Sequence, residues 1–140
     1  MQTISTLILL VLFTTLSFGQ EEETGHSITV TIDNITSNDG HVLLGLHTKD
    51  TFMKGKGIQT LKSKIEDGKV KVTFKNVTPG DYAIMALHDK NDNERMDFDS
   101  NGMPQEPYGM SNNPMSFGPP QFHLAQFKVA NENLNQSIRF

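Results

Sequence analysis

TPGDYAIMALHD, residues 78–89, is a Pro-Gly turn followed by a run that is apolar at odd and even positions alike. Successive side chains of a β-strand point to opposite faces, so this run predicts a strand that is covered on both sides. The runs SITVTID (27–33) and KVKVTFKNV (69–77) instead alternate apolar and polar residues. HVLLGLHT (41–48) places Val42, Leu44 and Leu46 on one face and Leu43, Gly45 and His47 on the other. This period of two indicates strands with one buried face. No segment has a convincing period of 3.6 residues, so the chain is predicted to be all-β.

Turn signals between these runs suggest how the strands connect. Asp-Gly pairs at 39–40 and 67–68 predict two hairpins, one joining 27–33 to 41–48 and one joining QTLKSKIE (59–66) to 69–77. QFHLAQFKV (121–129) and LNQSIRF (134–140) add C-terminal strands. Roughly seven strands with turns between them predict a single antiparallel β-sandwich, immunoglobulin-like or transthyretin-like, with one long loop.

The N-terminal segment predicts export. Residues 4–13 are apolar, and Ser17 and Gly19 occupy the −3 and −1 positions of a cleavage site before Gln20. An uncleaved anchor is the alternative, but the apolar run is shorter than the ~20 residues of a spanning helix. We therefore expect a signal peptide at 1–19, a β-sandwich domain at 20–140 and no membrane span after cleavage. The protein is expected to be periplasmic or secreted.

Composition narrows the class of function. The formal net charge is −4, and the lysines alternate with apolar residues rather than forming a basic patch interleaved with aromatic side chains. Nucleic acid is therefore not expected as a partner. The chain contains no cysteine, so packing, a metal or a partner must supplement its modest core instead of disulfides.

The segment ALHDKNDNERMDFDSNG, residues 86–102, contains seven Asp or Asn residues within thirteen positions. Such oxygen ligands at alternate positions suit Ca²⁺, and five carboxylates within eleven residues repel one another unless a cation neutralises them. A backbone carbonyl, here that of Arg95, often completes such a set. A polar loop built from Asx turns, without metal, is the alternative. The predicted ligands of a Ca²⁺-type site are Asp89, Asn91, Asn93, Asp97 and Asp99.

The loop departs from the helix-loop-helix calcium motif. Position 6 is Glu94 where that motif has Gly, and position 12 is Ser100 where it has a bidentate Glu. The segment before it is predicted to be a strand. We therefore expect a β-loop variant that is closed by Asp97, by Asp99 or by a distant group such as Glu106.

No catalytic residue is predicted. His88 could act as a base, but it sits at a strand end beside Asp89 and is better explained by a structural hydrogen bond. Ser111 has no Gly-x-Ser-x-Gly elbow around it. The long loop after Asp89 also contains Met and aromatic residues, which either cover one end of the core or present a binding surface.

The motifs from residue 79 to residue 127 resemble a family of exported bacterial proteins, domain of unknown function 2141. The pattern combines a Pro-Gly-x-Tyr-Ala strand, His-Asp with spaced Asn and Asp, Pro-x-Glu-x-Tyr-Gly, Ser-Asn and Pro-x-Phe. The matching residues are Pro79, Gly80, Tyr82, Ala83, His88, Asp89, Asn91, Asn93, Asp97, Pro104, Glu106, Tyr108, Gly109, Ser111, Asn112, Pro120 and Phe122. Glu94 departs from the Gly that the family usually has. The resemblance implies a secreted or periplasmic β-sandwich and no assigned reaction.

Three functions remain open from the sequence. The first is a non-enzymatic exported module with a Ca²⁺-type loop that binds an envelope or extracellular protein or a glycan. The second is an envelope hydrolase that uses the metal or His88, which predicts a pocket near Asp89, Glu106 and Ser111. The third is a structural envelope subunit whose loop binds no metal.

Overall fold

A computed structural model describes residues 24–140 as eight strands and one short helix. The predicted signal peptide at 1–19 lies outside the described residues. The elements are β1 (His26–Ile32), β2 (His41–His47), β3 (Gln59–Lys64), β4 (Val70–Val77), β5 (Gly80–Asp89), β6 (Tyr108–Met110), α1 (Phe122–Ala125), β7 (Phe127–Val129) and β8 (Leu134–Ser137). Within residues 24–140, no helix is long and apolar enough to cross a membrane.

The strands form the two sheets of a β-sandwich, which confirms the predicted fold class. One sheet has the order β4-β1-β8, and the other has the order β3-β2-β5-β6, with β7 also paired to β5. Every pairing between these strands is antiparallel except that of β1 with β8, which is parallel. The parallel pair and the eighth strand refine the prediction of seven antiparallel strands.

The core lies between the sheets and follows the period-two pattern. Every second residue of β1 faces inward, as does every second residue of β2, and these side chains meet Phe74 of β4 and Ile84 of β5. All of them are buried. Burial of such apolar side chains stabilises the fold by about 1.5–3 kcal/mol each.

Strand β5, which is apolar on both faces, is a central strand, as predicted, and it positions the candidate site. Ile84 and Ala86 face the core opposite Leu46 and Leu44 of β2. Ala83, Met85 and Leu87 alternate with them and therefore point to the outer face of the sheet. A second apolar cluster covers part of this outer face, with Ala83 and Met110 packed against Phe52 and Ala125.

Both predicted hairpins are wrong. The first two strands lie in different sheets, because β1 pairs with β4 and β8 while β2 pairs with β3 and β5. The turn at Asp67-Gly68 forms as expected, with φ of 51° and 70°, but only Glu66 and Lys69 pair across it. Ile65 and Val70 are both buried, and from there β3 and β4 enter different sheets. The turn is therefore a corner between the sheets.

The predicted strand at 121–129 is also partly wrong, since its first half is the helix α1. Phe122 and Ala125, three residues apart, pack in the outer apolar cluster, and this spacing suits a helical turn. The loop before α1 also stabilises this helical turn through a side chain. The Asn112 amide donates to the carbonyls of Leu124 and Gln126. Long-range contacts thus override the local alternation.

Candidate cation loop and apolar groove

The candidate loop, residues 89–99, begins where β5 ends, at Asp89, which is fully buried. One carboxylate oxygen of Asp89 accepts a hydrogen bond from the backbone N–H of Asn93 at 3.1 Å, and the other accepts from that of Glu94 at 2.8 Å. The strand end thus fixes the carboxylate, and the carboxylate folds the loop around itself.

A second group of hydrogen bonds in the loop converges on the Asp97 carboxylate. The amide nitrogen of Asn91 donates to one oxygen of Asp97 at 2.8 Å, and that of Asn93 donates to both oxygens at 2.8 and 2.9 Å. The hydrogen bonds from Asn91 and Asn93, with a smaller contribution from Arg95, lower the pKa of the Asp97 carboxyl below its ordinary value. Asn91, Asn93 and Asp97 therefore meet at one place, as the sequence predicts.

Asp99, by contrast, belongs to a turn of its own. One of its carboxylate oxygens accepts from the backbone N–H groups of Asn101 and Met103 at 2.8 and 2.9 Å. This Asx turn reverses the chain, and Phe98 then pairs with Pro104. The structure therefore does not group Asp99 with Asp89 and Asp97 through its hydrogen bonds.

The backbone of the loop has a left-handed conformation at its sixth position. Glu94 has φ of 61°, in the left-handed region for which the helix-loop-helix motif uses Gly. The substitution noted in the sequence therefore keeps the turn, at the cost of placing a side chain in a conformation that disfavours it. Glu94 also lies 3.4 Å from Lys62 of β3, which ties the loop to the neighbouring strand.

Glu106 lies near the end of the long connection between β5 and β6, and its side chain contacts the start of the candidate loop. One carboxylate oxygen accepts from the backbone N–H of Lys90 at 2.9 Å. The other oxygen, Oε2, is buried and has no hydrogen-bond partner among residues 24–140. The whole residue is only 8% exposed. A buried acceptor without a partner is costly, which makes Glu106 atypical among the carboxylates of this region.

The candidate ligand atoms are a mixture of carboxylate and amide oxygens rather than a cluster of imidazoles or of carboxylates alone. In the part of the chain that the structure describes, no three His, Asp or Glu side chains are grouped closely enough to hold a metal by themselves. Any ion here would depend on the amides of Asn91 and Asn93 and on backbone carbonyls as well. Such neutral and acidic oxygens suit a hard cation such as Ca²⁺ better than a transition metal.

The two side chains that a hydrolase would need, His88 and Ser111, are buried. His88 is fully buried, its Nε2 lies 2.8 Å from the backbone oxygen of Asp39, and its ring stacks on Phe140. Its Nδ1 is buried and has no hydrogen-bond partner among residues 24–140. Ser111 is also fully buried, and its hydroxyl donates to the backbone oxygen of Ala125. Neither side chain faces solvent.

An apolar groove lies on the outer face of the five-stranded sheet, beside the candidate loop. It has a cavity volume of about 310 Å³. Leu43, Met85 and Leu87 lie at its floor, and Met96 and Phe98 of the candidate loop contribute to its wall. Sequence analysis did not identify this groove. The available signal was the second apolar face of β5 combined with the Met and Phe content of the long loop.

His47 lies at the edge of this groove and is expected to be neutral at pH 7. Its ring packs edge-on against Phe52, with centroids 5.9 Å apart. Burial lowers the pKa of His47 below 6.5, opposed by a weaker hydrogen bond to the Thr51 carbonyl.

We predict that NMR titration of His47 in the folded protein gives a pKa below 6.5, while the denatured protein titrates near the ordinary value. Because the unfolded state then binds the proton more readily, His47 destabilises the fold as pH falls from 6.5 through the folded pKa. The decline in melting temperature over that window should be smaller in His47→Gln. A folded pKa at or above 6.5 would contradict the prediction.

Comparison with known proteins gives one match. A family described as "Uncharacterized protein conserved in bacteria (DUF2141)" matches residues 30–137, which is more than half of the chain. No curated protein and no solved structure matches significantly.

Proposed function

Since the chain belongs to the bacterial DUF2141 family, whose description assigns no activity, we propose a function from the geometry of its loop. The protein is an exported, non-enzymatic binding module in which a Ca²⁺-type cation, held by the Asp89–Asp97 loop, orders one wall of the apolar groove. Export is inferred from the predicted signal peptide at 1–19. The ligands are Asp89, Asp97 and the side-chain oxygens of Asn91 and Asn93. Glu106 completes the set by moving toward the cation when it binds, because the three carboxylates are not grouped in this structure.

The observation that carries this proposal is the unpartnered Oε2 of Glu106. A buried carboxylate oxygen is normally satisfied by a donor or by a metal. Here the other oxygen of the same carboxylate is fixed to the backbone of Lys90, directly after Asp89. A cation at the loop gives Oε2 a partner, and Glu106 then supplies the acidic group that the sequence lacks at position 12.

The amides around Asp97 are compatible with this role. Asn91 and Asn93 direct their amide nitrogens toward Asp97. Their oxygens accept backbone N–H groups, that of Asn91 from Asn93 at 3.3 Å and that of Asn93 from Arg95 at 3.2 Å. A half-turn of each side chain exchanges oxygen and nitrogen, and it gives up these two hydrogen bonds in favour of the cation. After that rotation both amides present oxygens toward the same position as the carboxylate. The cation replaces the Asn donors as the partner of Asp97.

The hydrolase alternative has less support. It predicts a concave pocket near Asp89, Glu106 and Ser111. None of these residues lines the apolar groove, and none lines the second cavity, which Met110 borders next to Ser111 in the chain. The groove is also poor in the titratable groups that acid–base catalysis needs. A binding role explains the apolar lining directly.

Thermal unfolding of the purified protein in EDTA and in ~1 mM Ca²⁺ tests the proposal. A cation that binds only the folded state adds RT ln(1 + [L]/Kd) to stability, or about 1.4 kcal/mol when Kd is about 0.1 mM. For a domain of this size we expect the melting temperature to rise by about 5 °C.

Two matched variants locate the site. Asp97→Asn should lose the rise with Ca²⁺, whereas Asp99→Asn should keep it, because Asp99 caps a separate turn. Equal loss in both variants would place Asp99 in the site and contradict the present assignment. The absence of any rise with Ca²⁺, Mg²⁺ or Mn²⁺ in the unmodified protein would leave the loop as a metal-free polar turn.

A further inference from the structure

We propose that the apolar groove binds the alkyl chain of a free, single-chain anionic amphiphile, with Lys56 pairing with the headgroup. The inference rests on the proposed function in one respect, since the cation loop supplies part of the groove wall. The floor and the cationic residue do not depend on the loop.

The floor of the groove is a continuous apolar strip across three strands. Leu43 of β2 is paired with Leu87 of β5, and Leu87 is paired in turn with Tyr108 of β6. Cross-strand partners lie on the same face of a sheet, so these side chains form a row. Met85 lies beside it on the same face. These four residues are only half-buried, and they form apolar surface that is unusual on the open face of a sheet.

The walls restrict the shape of the partner. Met96 and Phe98 come from the candidate loop, and Met53 comes from the loop between β2 and β3. Phe98 and Met53 are more than half exposed, so they project beside the floor rather than closing over it. The flat surface of another protein would contact the walls first. A narrow, flexible chain reaches the floor, and Met side chains adapt to such ligands.

The charge of the lining indicates the headgroup. Lys56 is the single residue among those lining the groove that is charged at neutral pH, since burial keeps His47 neutral. Lys56 has no ion-pair partner among residues 24–140. One lysine beside the apolar groove complements a ligand that has one negative charge at the end of an apolar chain.

The size of the groove selects a single chain. Its volume of about 310 Å³ lies at the lower end of the ~300–1,000 Å³ range of small-molecule sites. A two-chain lipid would leave most of its apolar surface outside. The proposed occupant is therefore a soluble monomer rather than a lipid in a bilayer.

Calorimetric titration with octyl, decyl and dodecyl sulfonate, each below its micelle concentration and in ~1 mM Ca²⁺, tests the inference. Burial of each added methylene should tighten binding about fourfold until the groove is filled. An alkyl trimethylammonium ion with the same chain should bind more weakly, because Lys56 repels it. Vesicles of phosphatidylglycerol should not retain the protein.

Variants connect the binding to the groove. Leu43→Glu, which places a charge on the floor, and Leu43→Trp, which fills it, should both abolish binding, and either variant suffices if the other fails to fold. Lys56→Gln should weaken binding about two- to fivefold, as for an exposed ion pair, whereas the matched Lys54→Gln should not. Lys54 is exposed in the same segment and does not line the groove.

Several outcomes would overturn the inference. These are no binding of any sulfonate, affinity that is independent of chain length, equal binding of the cationic analogue, or retention on vesicles without binding of monomers. Concentration-dependent dimerisation that Leu43→Glu abolishes, without sulfonate binding, would instead make the groove a subunit interface.

Repeating the titration in EDTA separates this inference from the proposed function. If Ca²⁺ stabilises the fold but no sulfonate binds, the cation site stands and the inference is wrong. If sulfonates bind equally in EDTA and Ca²⁺ and Ca²⁺ leaves the melting temperature unchanged, the groove stands and the cation site is wrong.

Discussion

Asp89→Ala is expected to lower the free energy of unfolding by about 3 kcal/mol and to remove all stabilisation by Ca²⁺. The Asp89 carboxylate accepts the backbone N–H groups of Asn93 and Glu94 while fully buried. Hydrogen bonds to a charged acceptor are worth about 1.5–3 kcal/mol each, and part of that is offset because the variant no longer buries a charge. The expected decrease in melting temperature in EDTA is about 10 °C.

Two further variants identify the cause of this loss. Asp89→Asn preserves the shape of the side chain, but it replaces one acceptor by a donor that faces a backbone N–H. We therefore expect Asp89→Asn to lose nearly as much stability as Asp89→Ala. Asp99→Ala removes an exposed turn cap and should cost about 1 kcal/mol or less. The assigned role of Asp89 is wrong if Asp89→Asn retains both its stability and its response to Ca²⁺.

The sequence was sufficient to predict the fold class because period-two alternation reports burial directly. It could not predict which strands pair. An Asp-Gly turn reverses the chain locally, and at Asp67-Gly68 it does so, but pairing stops after Glu66 and Lys69. Which sheet each strand then joins depends on partners far along the chain, such as β8 beside β1.

In the candidate site, too, the sequence predicts the local contacts and does not predict the long-range ones. The spacing of Asp89, Asn91, Asn93 and Asp97 predicts their convergence because one tight loop contains all four. The spacing of Asp99 looks similar, yet its carboxylate caps the next turn instead. The contact of Glu106 with Lys90 spans sixteen positions and depends on where the long loop returns. The groove needs three strands and two loops in place, so a linear reading could not locate it.

Met96 and Phe98 connect the two parts of the candidate site, since they flank Asp97 on either side. We expect a change that loosens the Asp97 carboxylate from its two amide donors to displace Met96 and Phe98 as well, because they are its neighbours in the chain. A cation that orders Asp97 therefore restricts the same side chains that a ligand would contact. In the proposed module, cation and ligand should each strengthen the binding of the other, as linkage requires.

Ser111→Ala is expected to lower the free energy of unfolding by about 2–4 kcal/mol without changing the response to Ca²⁺. The Ser111 hydroxyl accepts the backbone N–H of Ile84 at 3.0 Å and donates to the backbone oxygen of Ala125, so it joins β5 to the helix α1. Ser111, Ile84 and Ala125 are all fully buried, and water cannot satisfy the two groups that the variant leaves unpaired.

Denaturant unfolding of Ser111→Ala, beside the matched Ser116→Ala on the exposed part of the same loop, measures this cost. Ser116→Ala should change the free energy of unfolding by less than about 0.5 kcal/mol, as is usual for exposed positions. A comparably small effect at Ser111 would mean that the hydroxyl does not hold the helix against the sheet. The explanation of Ser111 as a structural bridge rather than a nucleophile would then fail.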